Sequence, residues 1–174
     1  MTYYKQQKKR IGGLLMLIDF EKAFDSLPWN FLYGMLEFFG YDKKFIKWIW
    51  LFNTEINAYV IQCGFLSKLI HIMRGCCQGD PISAYLFLIG AEILTQMILI
   101  NSDIIGLKIE VIEVIEFKLT QFADDTTLML DGSQHSLQSA LNTLEIYGDI
   151  SGLKMNKEKT KVIWIGRKKF SKKN

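Results

Sequence analysis

The sequence is short of the residues on which several simple scaffolds depend. Two prolines and 13 glycines in 174 residues, with no repetitive or long polar tract, exclude collagen-like and low-complexity chains and point to a folded one. Three cysteines, Cys63, Cys76 and Cys77, cannot pair completely, and sequence neighbours rarely bridge each other without strain. A secreted disulfide framework is therefore excluded, and an intracellular home, nuclear or cytoplasmic, is expected. Histidine is equally scarce: His71 and His135 lie far apart without cysteines at ligand spacing, which argues against zinc. Neither GxxxxGK[ST] nor GxGxxG occurs, so the commonest nucleotide-binding fingerprints are missing. Residues 1 to 10 are polar and basic, and the apolar run after Gly13 meets Asp19 within six residues, which is no signal peptide.

What is present is apolar material, 49% of the chain against 22% charged, enough for one compact domain. The net charge of +3 is unevenly spread. Residues 1 to 10 carry four Lys/Arg and residues 166 to 174 carry five, with no acid in either. Removing those nine from the total of 21 leaves twelve cations against 18 acids, a body of net −6. This divides the chain into a basic N-terminal segment, 1–13, a domain over 14–166, and a basic tail, 167–174. Such ends can track phosphates or simply be solvated, while surplus carboxylates in a nucleic-acid enzyme signal bound cations. Pro81 to Ile100 would nearly span a bilayer, but Glu92 and Gln96 within it and Asp80 before it favour a buried core helix over a membrane span.

Hydrophobic spacing predicts the elements. Leu14 to Phe20 reads as a central strand buried on both faces that delivers Asp19 to its C-terminal edge. Asp25-Ser26, with Pro28 in the first turn, starts a helix inward at Leu27, Phe31, Met35 and Phe38. A second helix starts near Asp42, with Phe45, Ile46 and Ile49 inward and Lys43, Lys44 and Lys47 on another face. Ile56 to Cys63 and Lys68 to Arg74 alternate as strands around Gly64. Asp80-Pro81 caps a long helix whose stripe is Ile82, Leu86, Ile89, Ile93, Met97 and Ile100. Lys108 to Gln121 gives one or two strands, and Thr126 to Leu130 another, so the acidic turn between them makes a hairpin. Leu137, Leu141, Leu144 and Tyr147 define a last helix, and Lys161 to Ile165 a last strand. The expected class is α+β, an antiparallel sheet with helices on one face, like a split βαβ or ferredoxin-like core.

Three acids stand out. Asp19 ends the most apolar strand, and Asp124 and Asp125 sit side by side in the hairpin. Adjacent acids repel unless cations neutralise them, and two Mg²⁺ about 4 Å apart would both activate a hydroxyl and stabilise a leaving pyrophosphate. An Asp-Asp turn is also an ordinary solvated turn.

Four blocks settle between these readings: Asp19-Phe20-Glu21-Lys22-Ala23-Phe24-Asp25, Arg74 through Gln78-Gly79-Asp80 to Ser83, Phe122-Ala123-Asp124-Asp125, and Gly152 to Thr160, in that order. Together they resemble the palm of a reverse transcriptase, closest to non-LTR (LINE-type) retrotransposon enzymes. The resemblance implies an RNA-directed DNA polymerase that transfers nucleotides from dNTPs to a primer on an RNA or DNA template, with two Mg²⁺ and with Mn²⁺ as substitute. It implies Asp19 and Asp124 as principal metal ligands, Asp125 as a third carboxylate, and the Phe20 carbonyl near one metal. Phe24 matches the aromatic beneath the incoming sugar that excludes a 2′-hydroxyl; read alone, it is a core aromatic. Gln78 and Gly79 match the loop beside the nascent base pair, and Arg74 could meet template phosphate or water. Lys159 matches the basic residue near the triphosphate or leaving pyrophosphate, with Lys154 and Lys157 competing. Cys77 and Ala84 stand where the family commonly has Arg and Pro, which removes a template-side charge and loosens a helix start.

The chain is further expected to be a palm fragment of a larger polymerase, without fingers, thumb or endonuclease domain. Its uncovered apolar surface should then favour aggregation. Two rivals remain at this point: a non-catalytic nucleic-acid-binding remnant, and a helical membrane protein around residues 81 to 100.

Overall fold

The computed structural model describes residues 12–77, 79–110 and 113–166. The basic segments at either end of the chain and Gln78 lie largely or wholly outside the described residues.

The core is a four-stranded antiparallel sheet of β1 (Gly13–Ile18), β8 (Leu119–Phe122), β9 (Asp125–Leu130) and β10 (Lys161–Ile165), in the order β10-β1-β9-β8. Antiparallel pairing of β9 with both neighbours makes β1 and β8 run parallel with β9 between them. This is the expected split βαβ arrangement, its crossover supplied mainly by the long helix α4 (Pro81–Ile100). Helix α5 (Gln134–Ser151) returns the chain to β10. The other elements are α1 (Ala23–Ser26), α2 (Trp29–Phe38), α3 (Lys43–Phe52), a ribbon of β2 (Asn57–Ala58), β3 (Ile61–Gln62), β4 (Phe65–Leu66) and β5 (Ile70–His71), and a hairpin of β6 (Leu107–Glu110) and β7 (Val114–Phe117).

Period-two alternation decides which sheet face is covered. Leu14, Met16 and Ile18 of β1 and Thr126, Leu128 and Leu130 of β9 are buried, and the apolar members join Leu32, Leu36, Phe87, Leu94, Ala140 and Tyr147 of the helices in one core. Leu17, between them, is 37% exposed. The expectation of a strand buried on both faces is thus corrected: helices cover one face, so only alternate residues are buried, and the remaining leucines face the open side.

Two helix readings also shift. The first long helix begins at Trp29, with Pro28 as its N-cap, whereas Asp25 and Ser26 lie inside the separate short α1. In α4 the buried line is Ser83, Leu86, Phe87, Gly90, Ala91, Leu94 and Ile98, while Ile100 is exposed. Large aliphatics suggested the stripe, but close helix packing selects small residues too. Tyr147 Oη reaches across from α5 and donates to the Gly90 carbonyl at 3.1 Å. By length and composition α4 could cross a bilayer; here it packs between α2 and α5. Asp80 caps it as expected, accepting from Ile82 N at 3.1 Å.

Candidate active site

The site residues converge on the end of the sheet where β1 stops. Ile18 of β1 pairs with Thr126 of β9, so one residue further Asp19 and Asp125 stand at opposing positions of neighbouring strands, about 4.8 Å apart in backbone spacing and on the face away from the helices. Asp125 in turn pairs with Phe122, which closes a two-residue turn of Ala123 and Asp124. Ala123 takes φ 51°, the left-handed conformation that a tight hairpin needs at its first turn residue and that costs a non-glycine residue about 1–2 kcal/mol. The register thus forces the hairpin tip to carry Asp124 beside Asp125.

A polar network anchors that tip. Gln121 Nε2 donates to Thr126 Oγ1 at 3.0 Å, and Thr95 Oγ1 of α4 donates to Gln121 Oε1 at 2.6 Å. Neither Gln121 nor Thr95 belongs to a sequence motif; what marks Gln121 is that a hairpin closed at 122–125 sets it opposite Thr126.

The Gly152–Thr160 block lies along the other edge of β1. Asn156 N donates to the Asp19 carbonyl at 2.8 Å, Glu21 N donates to the Lys154 carbonyl at 2.9 Å, and Phe20 bridges Met155. Because residues flanking Phe20 make these two bonds, the Phe20 carbonyl is not consumed by them and points to the opposite edge, where β9 lies. Asp19 N donates to Thr160 Oγ1 at 3.4 Å. The three competing lysines now separate. Lys159 Nζ lies 3.9 Å from Asp19 Oδ2, whereas Lys154 and Lys157 line a cavity of about 920 Å³ against Leu141, Leu144 and Glu145 of α5.

The 74–80 loop is fastened to α1. Cys76 N donates to the Phe24 carbonyl at 2.7 Å and Gly75 N to the Leu27 carbonyl at 2.8 Å, while Trp29 Nε1 donates to the Gly75 carbonyl at 2.8 Å. Gly75 has φ 96°, and a Cβ there would lie 3.1 Å from Asp25 Cα and O, so any other residue would be both strained and crowded. Gly79 has φ 93° with open space around the Cβ it lacks, leaving room for a ligand beside the backbone. Phe24 stacks on Phe87, centroids 4.4 Å apart, and is half-buried, so one face is committed to the core. Arg74 is exposed and bridges Pro28 through its backbone. Cys76 is buried, and desolvation, helped by neighbouring Cys77 and Asp80, pushes its thiol up to about 11. It is an apolar filler, not a nucleophile.

Asp19, Asp124, Asp125 and the Phe20 carbonyl are all oxygen donors, the set that a hard cation such as Mg²⁺ or Mn²⁺ prefers. Among the described residues no three His, Cys, Asp or Glu side chains stand close enough to hold a metal by themselves. The three acids lie at one open end of the sheet and do not line a pocket among the described residues. Asp19 is partly exposed and Asp124 and Asp125 are exposed, and unneutralised carboxylates repel one another. Such a donor set still suits Mg²⁺, which uses one or two carboxylates and completes its shell with water and substrate phosphate.

Comparison with known proteins follows the same lines. A family model described as reverse transcriptase (RNA-dependent DNA polymerase) matches residues 2–171. The chain is 27% identical over 143 residues to a retrovirus-related Pol polyprotein from type-1 retrotransposable element R2 of Popillia japonica, covering 82% of this chain and 23% of the relative. It is 28% identical over 148 residues to the polyprotein of the type-2 element R2DM of Drosophila melanogaster, covering 85% and 13%. A Transposon TX1 protein of Xenopus laevis matches at 24% over 143 residues, covering 82% and 11%. The chain thus spans a quarter or less of these relatives. Among solved structures, a telomerase from Candida tropicalis in complex with a fragment of telomeric RNA superposes with a TM-score of 0.67 at 15% identity, over 92% of this chain and 27% of that one, which is a likeness of fold.

Proposed function

Because the chain belongs to the reverse transcriptase family, we propose that it is the palm of an RNA-directed DNA polymerase of a non-LTR retroelement, which extends a primer with dNTPs on an RNA or DNA template. The observation that carries this reading is the pairing of Ile18 with Thr126, which, extended by one residue past the end of β1, brings Asp19 opposite Asp125 at the foot of the Asp124-bearing turn.

Asp19, Asp124, Asp125 and the Phe20 carbonyl would hold two divalent cations, Mg²⁺ or in substitution Mn²⁺, which when bound lower the pKa of the primer hydroxyl and neutralise the leaving pyrophosphate. The protein's own part is positional. The Gln121–Thr95 anchor holds the hairpin tip at the sheet end, and Asp19 is fixed by the Asn156 N–H donating to its carbonyl and by the Thr160 hydroxyl oxygen accepting from its own N–H. Phe24, with one ring face on Phe87, presents its other edge where a 2′-hydroxyl would sit, and Gly79 leaves backbone space beside the new base pair. Arg74 and Gln78 are assigned to the template side of that loop, and Lys159 to the triphosphate. Fingers and thumb that would grip nucleotide and duplex are partners supplied from outside this segment.

Primer extension on an RNA template by the parent polyprotein carrying this segment tests the reading. Asp124→Asn should lower the extension rate by at least about 10³-fold in Mg²⁺, as loss of several kcal/mol of charge stabilisation requires. Extension at an unchanged rate would remove the hairpin acids from the reaction.

A further inference from the structure

The 156–160 segment holds Asp19 more completely than a connecting loop needs to. Asn156 uses both its backbone groups and its side chain: its N–H donates to the Asp19 carbonyl at 2.8 Å, its carbonyl accepts from Thr160 N at 2.9 Å, and its Oδ1 accepts from Glu158 N at 3.1 Å and Lys159 N at 3.2 Å. Thr160 Oγ1 then accepts from Asp19 N. Both backbone groups of Asp19 are therefore gripped by a turn whose shape Asn156 sets, and that turn carries Lys159, whose ammonium lies 3.9 Å from the Asp19 carboxylate. Both side chains are open to water, at 71% and 41% exposure, so the ion pair is weak and exchangeable.

We propose that Asn156 is a positioning residue that keeps the Lys159 ammonium beside Asp19 as a built-in cation, displaced when a divalent ion binds there. The inference rests on the metal-site reading above. Without a metal, a lone carboxylate next to Asp125 would suffer like-charge repulsion, and a tethered lysine relieves it at little cost in structure. Displacement leaves the same ammonium a few ångströms from the metal site, free to turn toward an incoming phosphate.

Mn²⁺ binding to the full chain, followed through the electron paramagnetic resonance of free Mn²⁺, tests this without requiring turnover. Lys159→Met, at a largely exposed position, removes the competitor and should tighten Mn²⁺ binding about three- to fivefold, the worth of an exposed ion pair. Asn156→Ala should tighten it in the same direction by about twofold, and Asn156→Ser, which restores an uncharged turn acceptor, should return it to the wild-type value. Thermal melts without metal should show all three variants folded. If Lys159→Met leaves Mn²⁺ affinity unchanged while Asp19→Asn weakens it, the metal site stands and the built-in cation is overturned. If Asp19→Asn has no effect either, the metal-site reading fails and takes this inference with it.

Discussion

The helix-covered sheet and the segment from α3 through the 57–71 ribbon are both rich in apolar side chains, yet they treat them in opposite ways. In the first, Leu94, Leu128, Leu130 and Ile98 are fully buried. In the second, Trp48, Phe52, Tyr59, Ile61, Phe65, Leu66 and Met73 are exposed, Phe65 at 79%. The ribbon's strands are two residues each and, among the described residues, pair with one another, and the exposure of their side chains shows no described element layered over them. An apolar surface of this kind marks a contact region or an aggregation hazard. Energy of folding therefore resides in one region and surface chemistry in the other.

Mutations can sharpen this contrast. The largest effect should come from Leu128→Ala, which opens a cavity under the sheet and should cost about 3 kcal/mol in urea unfolding. A cost below about 1 kcal/mol would mean that the core is not where the burial places it. Next is Gly75→Ala, where the new methyl meets Asp25 backbone at a left-handed φ. About 1–2 kcal/mol should be lost, together with the register of the 74–80 loop on α1, visible as faster hydrogen exchange at Cys76 N. Smaller still is the Cys76 effect. Its folded pKa is raised from 9.0 to about 11, so the fold favours the thiol. That contribution is fully present below pH 9 and is lost as pH rises through about 11. Native protein at pH 8 should accordingly label at Cys63 and Cys77, which are exposed, and not at Cys76. The smallest change should be Phe65→Ser in the ribbon, within about 0.5 kcal/mol of wild type but with lower light scattering at high concentration; a loss near that of Leu128→Ala would erase the distinction between the two regions.

Much of this is legible in the sequence. β10 was read at its observed bounds because Lys161 to Ile165 is a short apolar run between a polar turn and a basic tail. The start of α4 was readable because Asp80-Pro81 combines a side-chain cap with a residue that suits the first turn. The hairpin was readable from two strand runs flanking Asp124-Asp125. Less legible were the stripe of α4, where Gly90 and Ala91 pack while Ile100 faces water, and the exposure of Leu17. Both depend on what lies across from the element, and periodicity along one segment does not contain that information. The preference for Lys159 over Lys154 and Lys157 rests in the sequence on motif resemblance alone: all three sit within six residues of one polar loop, and only the path of that loop along β1 turns Lys159 toward Asp19.

Local chemistry thus settled the kinds of elements, their caps and the family to which the motifs point, because those depend on residues within a few positions of each other. Tertiary structure decided the rest. Bringing Asp19 beside the 125 end of β9 and beside Lys159 takes contacts between segments more than a hundred residues apart in both cases, and such contacts exist only once the register of β9 against β1 and the docking of 152–160 have been set by burial of the opposite sheet face.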